Sequence, residues 1–87
     1  VLPQDAQLMN RYAWSIYENK NKAKYKRGIE LARLALKLEP ESSRIWDTLA
    51  WLLFEKGDKE DAIKAMEKAV EFEPEYKDGL KKMLELV

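Results

Sequence analysis

The residue types closest to chemistry in this sequence are carboxylates and amines. Glu71, Glu73 and Glu75 surround Pro74, and paired carboxylates can in principle divide acid and base work between them. No third group stands by to shift a pKa, so a solvated loop explains them better. Asp58, Glu60 and Asp61 lack the spacing of a calcium loop and read as a helix start. Lys20, Lys22, Lys24, Lys26 and Arg27 form a basic run with Tyr25 inside it. Three readings compete for that run. It could bind phosphates, but one short patch with little aromatic interleaving disfavours nucleic acid. It could meet an acidic partner, or the acidic half of a second copy. The leading reading is a solvated turn and helix face. No cysteine and no histidine occur, and glycine appears only 3 times. The thiol nucleophile, the commonest general base, the commonest zinc ligand and the glycine-rich phosphate loop are thereby missing. An enzyme is not expected, nor is a cofactor or a metal site.

The elements that must position these groups follow from length and pattern. A chain of 87 residues is one small domain. It carries 37% charged, 46% hydrophobic and 10% aromatic residues, with 16 basic and 16 acidic side chains, a globular mixture. The charge is uneven. Residues 1–38 hold eight basic and three acidic groups, and residues 39–87 hold eight and thirteen. The N-terminus, Val1 to Asn10, lacks the basic and apolar regions of a signal peptide. The longest apolar run, Leu49 to Phe54, has six residues, where a membrane span needs about 20. A soluble chain without a membrane span is expected, cytoplasmic by default.

Leu, Ala, Lys and Glu dominate, so helix propensity is high. The spacing predicts helices at about 4–19, 22–38, 43–56, 59–72 and 76–86. Apolar stripes at three- and four-residue steps support them. Tyr25, Ile29, Ala32 and Leu36 form one, and Ala62, Ile63, Met66, Ala69 and Val70 another. Asn21, Ser42 or Ser43, and Asp58 are the expected N-caps of the second, third and fourth helices. Pro40 and Pro74 stand just past helix ends.

Those two prolines are 34 residues apart, and aligning them superposes Gly28-Ile29, Ala32 and Ala35 on Ala62-Ile63, Met66 and Ala69. The preceding helices align at an offset of 37, with Ala13-Trp14 on Ala50-Trp51. The first unit therefore carries three extra residues within Asn19 to Arg27. A period of this length signals stacked helical hairpins.

With Trp46, Leu49, Ala50, Leu53, Ala62, Met66, Ala69 and Pro74 in the pattern's places, the chain resembles the tetratricopeptide repeat (TPR) family. Residues 43–76 match at full length. Residues 6–42 match less closely, with Met9 at the Trp position, Tyr12 at the Leu position and Gly28 at the first small position of the second helix. Residues 77–87 resemble a capping helix. The resemblance implies an all-α domain of two antiparallel hairpins and a cap, five helices stacked right-handedly. Since about three repeats are usually needed for a continuous core, the domain is expected to be marginal, helped by self-association, or part of a longer protein.

Family geometry implies that Trp14 and Trp51 line a concave groove with Asn10, Tyr17, Arg44, Asp47 and Phe54, and with Glu18 and Glu55 beside them. The aromatics would anchor a peptide or a partner-protein segment, while Asn10, Arg44 and Asp47 set polar register. The competing reading makes the same aromatics core, with Trp51 and Phe54 covered by the capping helix or the neighbouring hairpin. Trp46 takes a buried motif position. One TPR subclass clamps C-terminal carboxylates with Lys and Asn. Here those places hold Asn10, Trp14, Asp47 and Trp51, so an acidic C-terminus is not the expected ligand. The implied function is a protein–protein interaction module. The alternative is a structural or oligomerisation domain whose aromatic face and two-ended charge mediate self-association or packing on a parent protein.

Overall fold

The computed structural model describes residues 5–87. Among them five α-helices form: α1 (Ala6–Glu18), α2 (Tyr25–Leu38), α3 (Ser43–Lys56), α4 (Lys59–Phe72) and α5 (Lys77–Leu86). No strand occurs among the described residues. The third and fourth helices fall at their expected bounds. The first was expected from residue 4, which lies outside the described residues. Two expected helix starts are corrected, because Lys22–Lys24 and Pro74–Tyr76 are single 3-10 turns leading into α2 and α5.

Capping follows the expected chemistry at some ends only. The Asp5 carboxylate accepts from the backbone N–H groups of Gln7 and Leu8 at 2.9 and 3.2 Å, which satisfies two orphan donors of α1. Ser42 Oγ accepts from Ile45 N–H at 3.4 Å and opens α3. Asp58 does not cap α4 with its side chain. Its carboxylate instead accepts from Lys56 Nζ at 3.0 Å, across the tight turn. Asn21 makes no side-chain cap either, because the 3-10 turn separates it from the start of α2.

The helices pack in chain order, α1 on α2, α2 on α3, α3 on α4 and α4 on α5, and α1 also lies beside α3. Small residues set the close approaches. Ala13, Ala50 and Ala62 are fully buried. At Gly28 a Cβ would stand 3.1 Å from Leu52 Cδ1 and 3.4 Å from Ile16 Cδ1, so the bare glycine is what lets α2 settle on both neighbours. Ile45, Leu52, Met66 and Met83 fill the interior between hairpins and cap.

Trp46 departs from its expected full burial. It is half-buried, and its indole N–H donates to the Pro40 carbonyl at 2.8 Å. An indole needs an acceptor, and the α2–α3 loop supplies one at the protein surface. Trp46 and Leu49 face the α2–α4 side of the molecule, where they line a shallow depression with Arg33, Lys64 and Lys68.

Candidate binding face

Because α1 and α3 lie side by side, their aromatic residues meet. Trp14 and Tyr17 are three apart on α1, as are Trp51 and Phe54 on α3, and that spacing places each pair on one helix face. Trp14 stacks on Tyr17 with ring centroids 4.8 Å apart and planes 29° apart. Tyr17 reaches across to Trp51 at 6.2 Å. Trp51 meets Phe54 edge-on at 5.7 Å. The result is a continuous row of four rings crossing from one hairpin to the next. Trp14, Tyr17 and Trp51 are half-buried, so each keeps an accessible part, whereas Phe54 is only 7% exposed. Lys59, at the start of α4, places Nζ 4.2 Å from the Phe54 centroid and closes that end of the row.

The polar residues divide by depth. Asn10 is 3% exposed, and its Oδ1 has no hydrogen-bond partner. Arg44 is exposed. Asp47 is half-buried one turn before Trp51, and its Oδ1 lies beside Gly79 of α5, 4.0 Å from where a Cβ would be. Burial pushes the Asp47 carboxyl up to about 6, and the Trp51 side chain one turn away opposes part of that rise. The Tyr17 phenol is raised by burial, then by the charges of Glu55 and Asp47. The Tyr76 phenol is raised by burial, then by Asp47 and Glu73, with Arg44 acting the other way.

Lys20, Lys22, Lys24, Lys26 and Arg27 are all exposed on the α1–α2 connection and the first turn of α2. Lys22 and Lys26 share a shallow cleft with Tyr25, Glu55 and Lys56. Arg27 pairs with Glu30 at 3.6 Å in the open. The Tyr25 hydroxyl is buried without a hydrogen-bond partner, and its pKa is raised by burial and then by Glu55.

Sequence reasoning missed two parts of this face. Tyr76 and Gly79 come to Asp47 because Pro74 starts a 3-10 turn that aims α5 back toward α3. The Glu-Pro pair marked the helix end, but not the direction of the next helix. Lys59 reaches Phe54 because the connection through Gly57 and Asp58 is so short, and that brevity was visible in the sequence.

The fold and face together define an all-α stack of helical hairpins with aromatics between adjacent first helices. A family model described as "Tetratricopeptide repeat" matches residues 43–76, which is α3, α4 and the turn that follows. The five helices fit a TPR-like repeat arrangement. No curated protein and no solved structure matches the chain. TPR repeats generally mediate protein–protein interaction and are typically non-catalytic. No helix among the described residues is long and apolar enough to cross a membrane.

Proposed function

We propose that the chain is a non-catalytic interaction module whose α1–α3 groove docks a peptide or partner-protein segment. The observation that carries this reading is the four-ring row with three rings still partly accessible. Aromatic rings held by neighbouring rings are rigid, and a rigid anchor loses little entropy on binding. Trp14, Tyr17 and Trp51 supply the apolar contact. Phe54 is nearly covered and buttresses Trp51. Arg44 and Asp47 set polar register at the rim, and buried Asn10 takes no direct part. The basic run Lys20, Lys22, Lys24, Lys26 and Arg27 is read as a solvated turn that adds long-range attraction for acidic surfaces. The test uses indole Nε1–H NMR signals, with peptides selected by the protein from a displayed random library as ligands. The Trp14 and Trp51 signals should shift, and the Trp46 signal, tied to Pro40 on the other side of α3, should stay. Movement of Trp46 alone would place binding on the α2–α4 side.

A second reading, self-association, rests on the ends of the stack. Leu8 and Tyr12 are exposed on α1, Leu84 and Leu86 on α5, and Val87 just after it. The halves also differ in charge sign. Sedimentation equilibrium separates the readings, because end-to-end contact would give a mass that grows with concentration and leave the indole signals of Trp14 and Trp51 unmoved.

A further inference from the structure

Asp47 is a half-buried acidic side chain beside the aromatic row. It stands one turn before Trp51 on α3, lies against Gly79 of α5, and makes no ion pair among the described residues. Its charge is felt by Tyr17 on one side and Tyr76 on the other. Arg44, one turn earlier on α3, is exposed and leaves the carboxylate unpaired. An ionised carboxylate can accept several hydrogen bonds, so Asp47 has capacity for a further donor. Further acidic groups stand nearby, Glu55 acting on Tyr17 and Glu73 on Tyr76, with Arg44 opposing them in part. At the far end of the same row, the Lys59 ammonium already sits over the Phe54 ring. The face therefore holds a cation on a ring within its own chain, and offers in Trp51 a second ring with a carboxylate nearby.

We infer that the segment docked in this groove presents an arginine or lysine to Asp47, its stem lying on Trp51 and Tyr17 and its charged head paired with the carboxylate. The inference rests on the groove reading given above. A basic side chain suits this place by its two-part chemistry. Its methylene stem covers apolar rings while its head seeks an anion, and a guanidinium or ammonium is drawn to a ring face. An acidic residue at the same place would meet Asp47 with like charge. A neutral apolar side chain would leave the half-buried carboxylate without a partner, at a penalty.

The test pans a displayed library of random short peptides on the wild-type protein, on Asp47→Asn and on Trp14→Ala/Trp51→Ala. The wild type should enrich peptides in which arginine or lysine adjoins apolar residues, and Asp47→Asn should keep the apolar preference but lose the basic one. Replacing the arginine of a selected peptide by citrulline should weaken binding to the wild type by roughly ten-fold, an amount suited to one partly desolvated charge pair. The same replacement should change binding to Asp47→Asn far less. Because citrulline alters only the peptide, this comparison does not depend on how the variant folds. Equal affinity of the arginine and citrulline peptides for the wild type would overturn the basic-residue inference and leave the groove intact. Enrichment that is the same for Trp14→Ala/Trp51→Ala as for the wild type would overturn the groove itself, and the inference with it.

Discussion

The first hairpin, α1–α2, and the second, α3–α4, turn their chains in the same way with different residues. Each first helix closes with a backbone bond spanning five residues, Asn21 N–H to Ile16 C=O at 3.2 Å and Asp58 N–H to Leu53 C=O at 2.9 Å. Each closure needs one residue in the left-handed region. In the second hairpin it is Gly57, at φ 107°, and in the first it is Lys20, at φ 51°. The second connection then enters α4 at once, whereas the first inserts the 3-10 turn Lys22–Lys24 before α2. Buried contacts differ as well. Leu49 is 2% exposed because α2 and α4 flank it, while Tyr12, its counterpart at an offset of 37, is 52% exposed because no helix among the described residues packs outside α1. On the shared face the same offset relates Asn10 to Asp47, a neutral amide to a carboxylate. The second hairpin thus has neighbours on both sides and the regular turn. The first departs from that pattern in its turn and its outer face, and the family match covers residues 43–76 alone.

The largest expected contrast comes from the packing pair. Leu49→Ala should lower unfolding free energy by about 2–4 kcal/mol, as truncation of a buried leucine does, and Tyr12→Ala by less than about 1 kcal/mol. Urea denaturation of both variants measures it. Similar losses would mean that Tyr12 is covered in solution, which would favour the self-association reading.

Asp47 gives the next effect, and its sign is fixed. A carboxyl raised from 3.8 to about 6 binds its proton more tightly in the folded chain. Its favourable contribution is therefore complete below about pH 4 and is lost as pH rises through 6. The full shift corresponds to about 3 kcal/mol, reduced to ~1–2 kcal/mol because water still reaches the group. Asp47→Asn should stabilise the fold by that amount at pH 7 and flatten the profile between pH 4 and 7. Denaturation across that range checks it, and a wild-type profile as flat as the variant's would contradict the burial of Asp47. The same cost explains why a cationic ligand would be welcome there.

Exchanging the turn residues should have opposite signs. Lys20→Gly removes left-handed strain of about 1–2 kcal/mol and should stabilise by up to about 1 kcal/mol after glycine's entropy cost of about 0.5–1 kcal/mol is counted. Gly57→Ala should destabilise by about 1 kcal/mol, although nothing stands within 4 Å to oppose the methyl group. Thermal melts of the two variants should move in opposite directions. The smallest effect belongs to Arg27→Ala, whose exposed pair with Glu30 should be worth less than about 0.5 kcal/mol. A larger loss would show that the basic turn is structurally engaged.

The repeat was legible because small residues and prolines have physical duties that recur: Gly28 and Ala62 at helix contacts, Pro40 and Pro74 after helix ends. The helix ends were less legible. Asn21 and Asp58 have capping side chains, yet a 3-10 turn displaced one and Lys56 engaged the other, and such competition is decided by tertiary geometry. The TPR resemblance implied that Trp14, Tyr17, Trp51 and Phe54 share one face, and the rings do meet in one row. What spacing could not give was depth. Asn10 and Phe54 lie nearly covered while Trp14 and Trp51 stay half-open, because burial depends on how neighbouring helices cross. Tyr76 and Gly79 were invisible beside Asp47 for the same reason.

The central claim is that the ring row between α1 and α3 binds a partner segment. The most direct measurement is the calorimetric affinity of a peptide selected by the wild type, compared with its affinity for Trp14→Ala/Trp51→Ala, with helicity followed by circular dichroism. A loss of roughly 100-fold or more is expected, of the size seen when aromatic anchors are removed, with helicity preserved. Unchanged affinity in a fully helical variant would contradict it.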